Sequence, residues 1–267
     1  MDTISFLTDY GHTDEFVGVC KSVIRQLAPA AVVIDITHEI AAHDIRAGSL
    51  ALVRSVQYLA DGVVLAIVDP GVGTARKAIA VEVGERGETV LIGPDNGLLA
   101  PAVAMLGGAR RAAALTNEEL HLAAPGPTFA GRDIFAPVAA HLCAGATFES
   151  LGSAIDPAGL VPGVLPLTRV EDDGVHGEVL WADRFGNAQL NIDPAEIDDL
   201  GRVLSITFGA VARTAHRAET YADIKPGQIG LVVDSYGLVS VCLDRRSAAQ
   251  ELGLGSGVAI VLSPAGS

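Results

Sequence analysis

The chain alternates short apolar runs with longer stretches of helical spacing. Ile4–Leu7 predicts a short strand and gives way to the polar turn Thr8-Asp9-Tyr10-Gly11. Phe16 to Leu27 reads as a helix, and Pro29 ends it because proline has no N–H to donate. Val32–Ile36 predicts a second strand. Asp44 is placed to cap the next helix, whose apolar side carries Leu50, Val53 and Leu59. Val63–Val68, Ile79–Val83 and Val90–Ile92 predict further strands, and Leu98–Leu106 and Ile134–Cys143 further helices. Near-continuous apolar strands between helices predict a parallel sheet covered on both faces.

The texture changes from Asp156 to Gly174, where Pro157, Gly159, Pro162, Gly163 and Pro166 precede Glu171-Asp172-Asp173. This segment predicts a crossing between domains. Beyond it come short strands at short spacing: Gly177–Ala182, Ala188–Ile192, Val203–Phe208, Gly230–Val233, Leu238–Leu243 and Val258–Leu262. Gly and Asp/Asn turns separate them, which predicts a small antiparallel sheet or barrel. The expected architecture is an N-terminal parallel-sheet α/β domain over 1–165. A smaller C-terminal antiparallel β-barrel-like domain follows over 172–267.

Composition narrows the function classes. Of 267 residues, 49 % are hydrophobic and 19 % charged, enough apolar material for a sizeable core. Eighteen Lys and Arg against 32 Asp and Glu give a formal net charge of −14, which disfavours a sequence-independent nucleic-acid surface. Cys20, Cys143 and Cys242 are scattered and form no CxxC, so neither a zinc ribbon nor a disulfide framework is expected. No apolar run reaches the roughly 18 residues of a membrane span. The opening MDTISFLTDYG lacks a basic stretch and a cleavage site. No signal peptide is expected, and the expected location is the cytoplasm.

Polar residues gather at the predicted strand ends, where open α/β sheets bind ligands. The turns at 8–14, 37–44, 69–76, 93–97 and 128–133 all have this character. Gly71 and Gly73 lack a third glycine or a Gly-Lys-Ser/Thr, so the turn is neither a dinucleotide fingerprint nor a P-loop. HExxH, GxSxG and EF-hand patterns are absent. His38 and His43 are read as satisfied or surface residues rather than metal ligands, and His121 and His141 as helix-surface residues. In the second half, Asp183–Asn187, Asp234–Gly237 and Arg245–Ala249 are turns that also carry amide, hydroxyl and guanidinium groups.

The phrases FLTDYGHTDEFVGVCK, VVIDITHEI, AIVDPGVGTAR, IGPDNGLL, TFAGRDIFAP, DRFGNAQLNI and DSYGLVSV resemble the S-adenosylmethionine (SAM) hydrolases, also called SAM hydroxide adenosyltransferases. These are relatives of the SAM-dependent fluorinase and chlorinase. The resemblance runs from about residue 3 to 262. It implies water attack at C5′ of SAM to give adenosine and methionine, with no metal or other cofactor. It also implies a homotrimer in which SAM lies between the N-domain of one subunit and the C-domain of the next. Asp69 and Arg76 match two members of an Asp-Arg-His catalytic set. Ala130 stands where the third, histidine, is expected; either natural divergence or a deliberate replacement to trap a ligand accounts for it, and the hydrolase would then be impaired. Asp9 matches the acid that holds the ribose hydroxyls, Asp14 the acid near the methionine ammonium, and Asn187 the amide that reads adenine. Tyr221 matches an aromatic on adenine and Ser235 a carboxylate-binding hydroxyl. Arg246 and Ala248 match positions beside adenine. Two other functions share this fold: a SAM-dependent halogenase and a SAM or adenosine binder without chemistry.

Overall fold

The computed structural model describes residues 1–266. The chain divides into two compact units, Met1–Val164 and the remainder from Leu165 onward.

The first unit is built on a seven-stranded sheet. Its strands are β1 (Thr3–Thr8), β2 (Val32–Thr37), β3 (Gly62–Ile67), β4 (Ala78–Val83), β5 (Thr89–Pro94), β6 (Ala109–Ala114) and β7 (Ser153–Ile155), in the order β2-β1-β3-β5-β4-β6-β7. β2, β1, β3 and β5 pair in parallel. β4 is antiparallel to both β5 and β6, and β7 to β6. Five strands therefore run one way and two the other, so the sheet is mixed rather than wholly parallel. The reason lies in the connection: residues 84–88 join β4 to β5, too few for the crossover a parallel neighbour needs.

Helices cover both faces, as the pattern of apolar strands requires. Ile4 and Phe6 of β1 pack toward Val17, Cys20 and Ile24 of α1 (Phe16–Leu27) and Val138 and Ala139 of α4 (Ala136–Cys143). Leu7 turns to the opposite face, with Leu52 and Val56 of α2 (Ile45–Val56) and Val103 of α3 (Ala100–Met105). This is the period-two alternation of a strand. Asp44 caps α2, its Oδ1 accepting from Ala47 N at 2.8 Å. The buried stripe of α2 runs through Leu50, Leu52 and Val56; Val53 and Leu59 are only half-buried.

β6 and β7 carry no strand signal of their own. Ala109–Ala114 reads Ala-Arg-Arg-Ala-Ala-Ala, a poor β sequence. Tertiary pairing holds it: Arg111 sits opposite Glu82 of β4 and donates to both carboxylate oxygens at 2.8 Å.

The second unit is a closed barrel. β9 (Gly174–Ala182), β10 (Ala188–Leu190), β11 (Val203–Phe208), β12 (Val211–Arg217), β13 (Ile229–Val233), β14 (Val239–Leu243) and β15 (Ala259–Pro264) form it in the order β10-β14-β13-β12-β11-β15-β9, and β9 closes onto β10. β8 (Arg169–Glu171) flanks β9, and α5 (Ala248–Leu252) follows β14. Closure leaves the ring without free edges. Val179, Leu190, Ile206, Leu231, Val241 and Leu262 fill the interior. The barrel is mixed, not wholly antiparallel, because β12 and β13 are parallel. The connection at 218–228 carries the chain back to the start of the next strand. β12 itself, Val-Ala-Arg-Thr-Ala-His-Arg, is mostly exposed, which hides its strand character in the sequence. Among the described residues, no helix is long and apolar enough to cross a membrane.

Candidate active site

β1 and β3 run in parallel, so their carboxyl ends deliver Asp9 and Asp69 to the same edge of the sheet. After β3 the chain turns tightly. Val72 N donates to Asp69 O at 3.3 Å, and Thr74 Oγ1 to Gly71 O at 2.6 Å. Arg76 N then donates to Thr74 Oγ1 at 3.3 Å. This ladder brings Arg76 back over Asp69. Nε donates to Oδ1 at 2.8 Å, and a second guanidinium nitrogen to Oδ2. The pair is largely shielded, with side-chain exposures of 6 % for Asp69 and 14 % for Arg76. The guanidinium carbon lies 5.1 Å from the centre of the Phe135 ring. A two-point pair backed by a ring fixes both the carboxylate and the cation in one orientation.

Asp9, Asp69 and Ala130 line one cavity of about 230 Å³, together with His43 and an aromatic wall. The wall is Tyr10, Phe16 and Phe129, whose ring centres lie 5.0–5.8 Å apart. One oxygen of Asp9 accepts from His43 N at 2.9 Å. That contact accompanies a left-handed backbone at His43, φ 69°, a conformation that non-glycine residues adopt only under tertiary constraint. Burial pushes the Tyr10 phenol well up, and the charges of Cys20, Asp9 and Asp69 add to it, so the hydroxyl stays protonated. Gly131 lies against this phenol: a Cβ there would sit 2.2 Å from the Tyr10 oxygen. Asp14 is exposed in the bend before α1 and does not line the cavity.

Ala130 also lines a larger cavity of about 870 Å³, with Arg76, Asp133 and His121. Ala130 leads into one turn of π-helix, Gly131–Phe135, which runs on into α4. Such wide turns recur at functional sites. His121 is not on a helix surface as its sequence neighbourhood suggested. It follows the short turn Glu118–Leu120, and its Nε2 is buried with no hydrogen bond. Burial lowers its pKa. His38 does behave as a satisfied core residue, held by Thr8 at 2.9 Å and Asp35 at 3.1 Å.

In the barrel unit the sequence-predicted residues fall on neighbouring turns. Asn187 ends the β9–β10 turn, its amide donating to Asp183 Oδ2 at 2.8 Å. Gly186 N–H and C=O tie the same turn to Asp183 and to Ala249. Ala248, fully buried, and Arg246 flank Ser247, which touches Gly186. Arg246 is exposed and pairs with Glu251, Nε to Oε1 at 2.6 Å. Ser235 lies exposed on the β13–β14 turn, where Asp234 accepts from Tyr236 N at 2.9 Å and from Gln189 at 2.6 Å. Tyr221 is half exposed; burial raises its phenol pKa, followed by the charges of Cys242, Asp183 and Asp234. The two turn carboxylates thus act on the same ring. Asp183 and Asp234 are supports that sequence reading did not single out, although each opens a turn ending in Gly-Asn or Tyr-Gly.

Gly186 has φ +86°, and a Cβ there would meet Ser247 Cα at 2.5 Å. Gly186→Ala is therefore expected to destabilise the barrel by about 3 kcal/mol, combining left-handed strain with overpacking. Chemical denaturation should show the lowered midpoint; an unchanged midpoint would mean the turn relaxes freely.

Among the described residues one group has the geometry to hold a metal ion: Glu171, Asp173 and His176, with ligand atoms within 4.8 Å of one another. It sits on the exposed β8–β9 hairpin. His176 is already bonded to Asp173 at 2.7 Å, and Arg169 lies 3.5 Å from Glu171.

Two family models match the chain. SAM hydroxide adenosyltransferase N-terminal domain covers residues 4–152, and SAM hydroxide adenosyltransferase C-terminal domain covers 177–261. The (R)-S-adenosyl-L-methionine hydrolase of Salinispora tropica is 46 % identical over 254 residues, 95 % of each chain. A fluorinase of an Actinoplanes species is 26 % identical, covering 98 % of this chain and 97 % of its own. A crystal structure of an uncharacterized conserved protein from Thermotoga maritima superposes with a TM-score of 0.89 at 34 % identity, over 97 % of this chain and 99 % of that one.

Proposed function

The chain belongs to the SAM hydroxide adenosyltransferase family, and we propose from that premise that Asp69 and Arg76 carry its hydrolysis of SAM to adenosine and methionine. The observation that carries the reading is the shielded two-point Asp69–Arg76 pair, whose carboxylate lines the cavity that Asp9 shares.

The chemistry asks little of a general acid. C5′ of SAM is a primary carbon and its leaving group is a sulfonium, which departs as neutral methionine. What remains is to hold one water in line behind the C–S bond and ease its deprotonation. Each Asp69 oxygen keeps a lone pair beyond the one Arg76 uses, so the carboxylate can accept from that water. Arg76 steadies the carboxylate and the developing hydroxide charge. Tyr10, Phe16 and Phe129 exclude bulk water from one side. The unbonded oxygen of Asp9 is placed for a ribose hydroxyl. A halide nucleophile gains nothing from the carboxylate of Asp69, which argues for water.

On the barrel side, Asn187, Arg246 and Ala248 form the adenine end, Tyr221 stacks on the base, and Ser235 takes the methionine carboxylate. Asp14 takes the ammonium. The two domains, at 1–165 and 172–267, contribute from different subunits of a homotrimer, in which each site is shared between neighbours. The three free cysteines suit a cytoplasmic setting.

Two measurements test this. Mass spectrometry of the protein incubated with SAM in chloride buffer should give adenosine and methionine without 5′-chloro-5′-deoxyadenosine. For the assembly, an Asp69→Asn chain mixed with an Asn187→Ala chain under subunit exchange should recover activity that neither shows alone. A monomeric mass in solution with full SAM binding would overturn the shared site.

A further inference from the structure

The ring of His38 is buried, and both of its nitrogens are engaged. Nε2 lies 3.1 Å from Asp35 Oδ1, and Nδ1 lies 2.9 Å from Thr8 Oγ1. Lys21 Nζ donates to the other Asp35 oxygen at 2.6 Å. Burial works against charge on Asp35, but the bonds from Lys21 and His38 outweigh it and hold the carboxyl below its ordinary value. Burial also lowers the His38 pKa against the pull of Asp35, which favours the neutral ring. A carboxylate only accepts, so Nε2 carries the ring proton and Nδ1 is left as an acceptor. Thr8 must then donate its hydroxyl proton to Nδ1. Its oxygen is thereby turned to accept, and it does so from Tyr10 N at 3.1 Å. The hydrogen bonds run in one direction, from Tyr10 N through Thr8 and His38 to Asp35.

Asp9 stands between Thr8 and Tyr10 in the chain, and three successive N–H groups fix its backbone. Asp9 N donates to Ile67 O at 3.3 Å, Tyr10 N to Thr8 Oγ1, and Gly11 N to His38 O at 2.7 Å. His38 governs the last two, one through its ring and one through its carbonyl. His43 N takes one carboxylate oxygen of Asp9, and the turn beneath sets where the other oxygen stands. Thr8, Asp35 and His38 lie behind the cavity lining and act on it through this turn. Without an acceptor at Nδ1 the Thr8 hydroxyl is free to rotate, and the Tyr10 N–H loses its partner. A shift of about 1 Å in a binding group is enough to cost a large part of what it contributes.

We propose that His38 is a positioning residue for SAM: turned by Asp35, it holds the Thr8–Gly11 turn so that the free oxygen of Asp9 meets the ribose hydroxyls, and it thereby sets the preference for a ribose over a sugar without them. This rests on the ribose reading of Asp9 above.

The test compares kcat/KM for SAM with that for its 2′,3′-dideoxy analogue, with a melting curve for each chain. The unaltered chain should prefer SAM by about tenfold or more, because the analogue leaves a carboxylate oxygen facing nothing. Asp9→Ala should erase that preference. Thr8→Val keeps the shape and removes the hydroxyl. It should lower kcat/KM for SAM by about tenfold, mostly through KM, and change the analogue by no more than about twofold. His38→Leu should do the same. Thr8→Ser keeps the hydroxyl, and His38→Asn keeps an amide oxygen near the Nδ1 position, so both should retain most of the preference. In an Asp9→Ala chain, Thr8→Val should have no further effect. A loss in Thr8→Val that is equal on both substrates, or that persists undiminished beside Asp9→Ala, would overturn the positioning role and leave a purely structural one. An unchanged preference in folded Thr8→Val or His38→Leu would overturn it as well. An Asp9→Ala chain that keeps the preference would instead overturn the ribose reading of Asp9, and the positioning role with it.

Discussion

Asp69→Asn is expected to cut kcat by about 10²–10³-fold while SAM affinity changes only a few-fold. The estimate follows from losing both the acceptor for the attacking water and the anchor of Arg76. An amide keeps the shape but offers one acceptor oxygen in place of two, and its NH₂ faces a guanidinium that also donates. The lost interactions belong to the transition state, so the effect should fall on kcat and not on binding. Asp69 and Arg76 are both mostly buried, so the variant also leaves a cation without its partner. A melting curve must therefore accompany the kinetics. Full activity in a folded Asp69→Asn chain would remove the carboxylate from the chemistry.

Ala130→His should act in the opposite direction and raise kcat by about 10²-fold. Position 130 is 7 % exposed and has right-handed helical backbone angles, φ −59° and ψ −25°, which suit histidine without strain. The new ring would have space, since the methyl group it replaces borders both cavities. It would stand in the wall of the cavity that Asp69 also lines. The gain sits at the low end of the range for a positioned acid or base because the Asp69–Arg76 pair already supplies part of that work. Steady-state kinetics at neutral pH measure it. No gain in a folded variant would mean that proton transfer does not limit turnover.

The Asp69–Arg76 pair was legible because it is local. Seven residues separate the two, and Gly71, Gly73 and Thr74 between them dictate a tight return. The Asp44 cap was legible for the same reason, its oxygen reaching only to Ala47. His121 was not. Its surroundings come from Arg76, Ala130 and Asp133, and nothing in Glu-Glu-Leu-His-Leu distinguishes a half-buried imidazole from an exposed one. Asp14 is the opposite case: its matching position is plain in the sequence, while its exposed place before α1 shows nothing of a binding role within one chain.

By itself the sequence determined most of the strands and the longer helices, because apolar periodicity and caps act over a few residues. It also determined a covered sheet followed by a small β unit, and the phrases that carry the family. Only the tertiary structure decided the direction of β4, the existence of β6 and β12, and the parallel β12–β13 pair in the barrel. Strand direction depends on which partner a segment finds. For β6 the bond from Arg111 to Glu82, 29 residues away, outweighs a weak intrinsic preference. The same holds for the site: a carboxylate, a ring or an imidazole gains its chemistry from what surrounds it, and those neighbours meet only when the chain has folded.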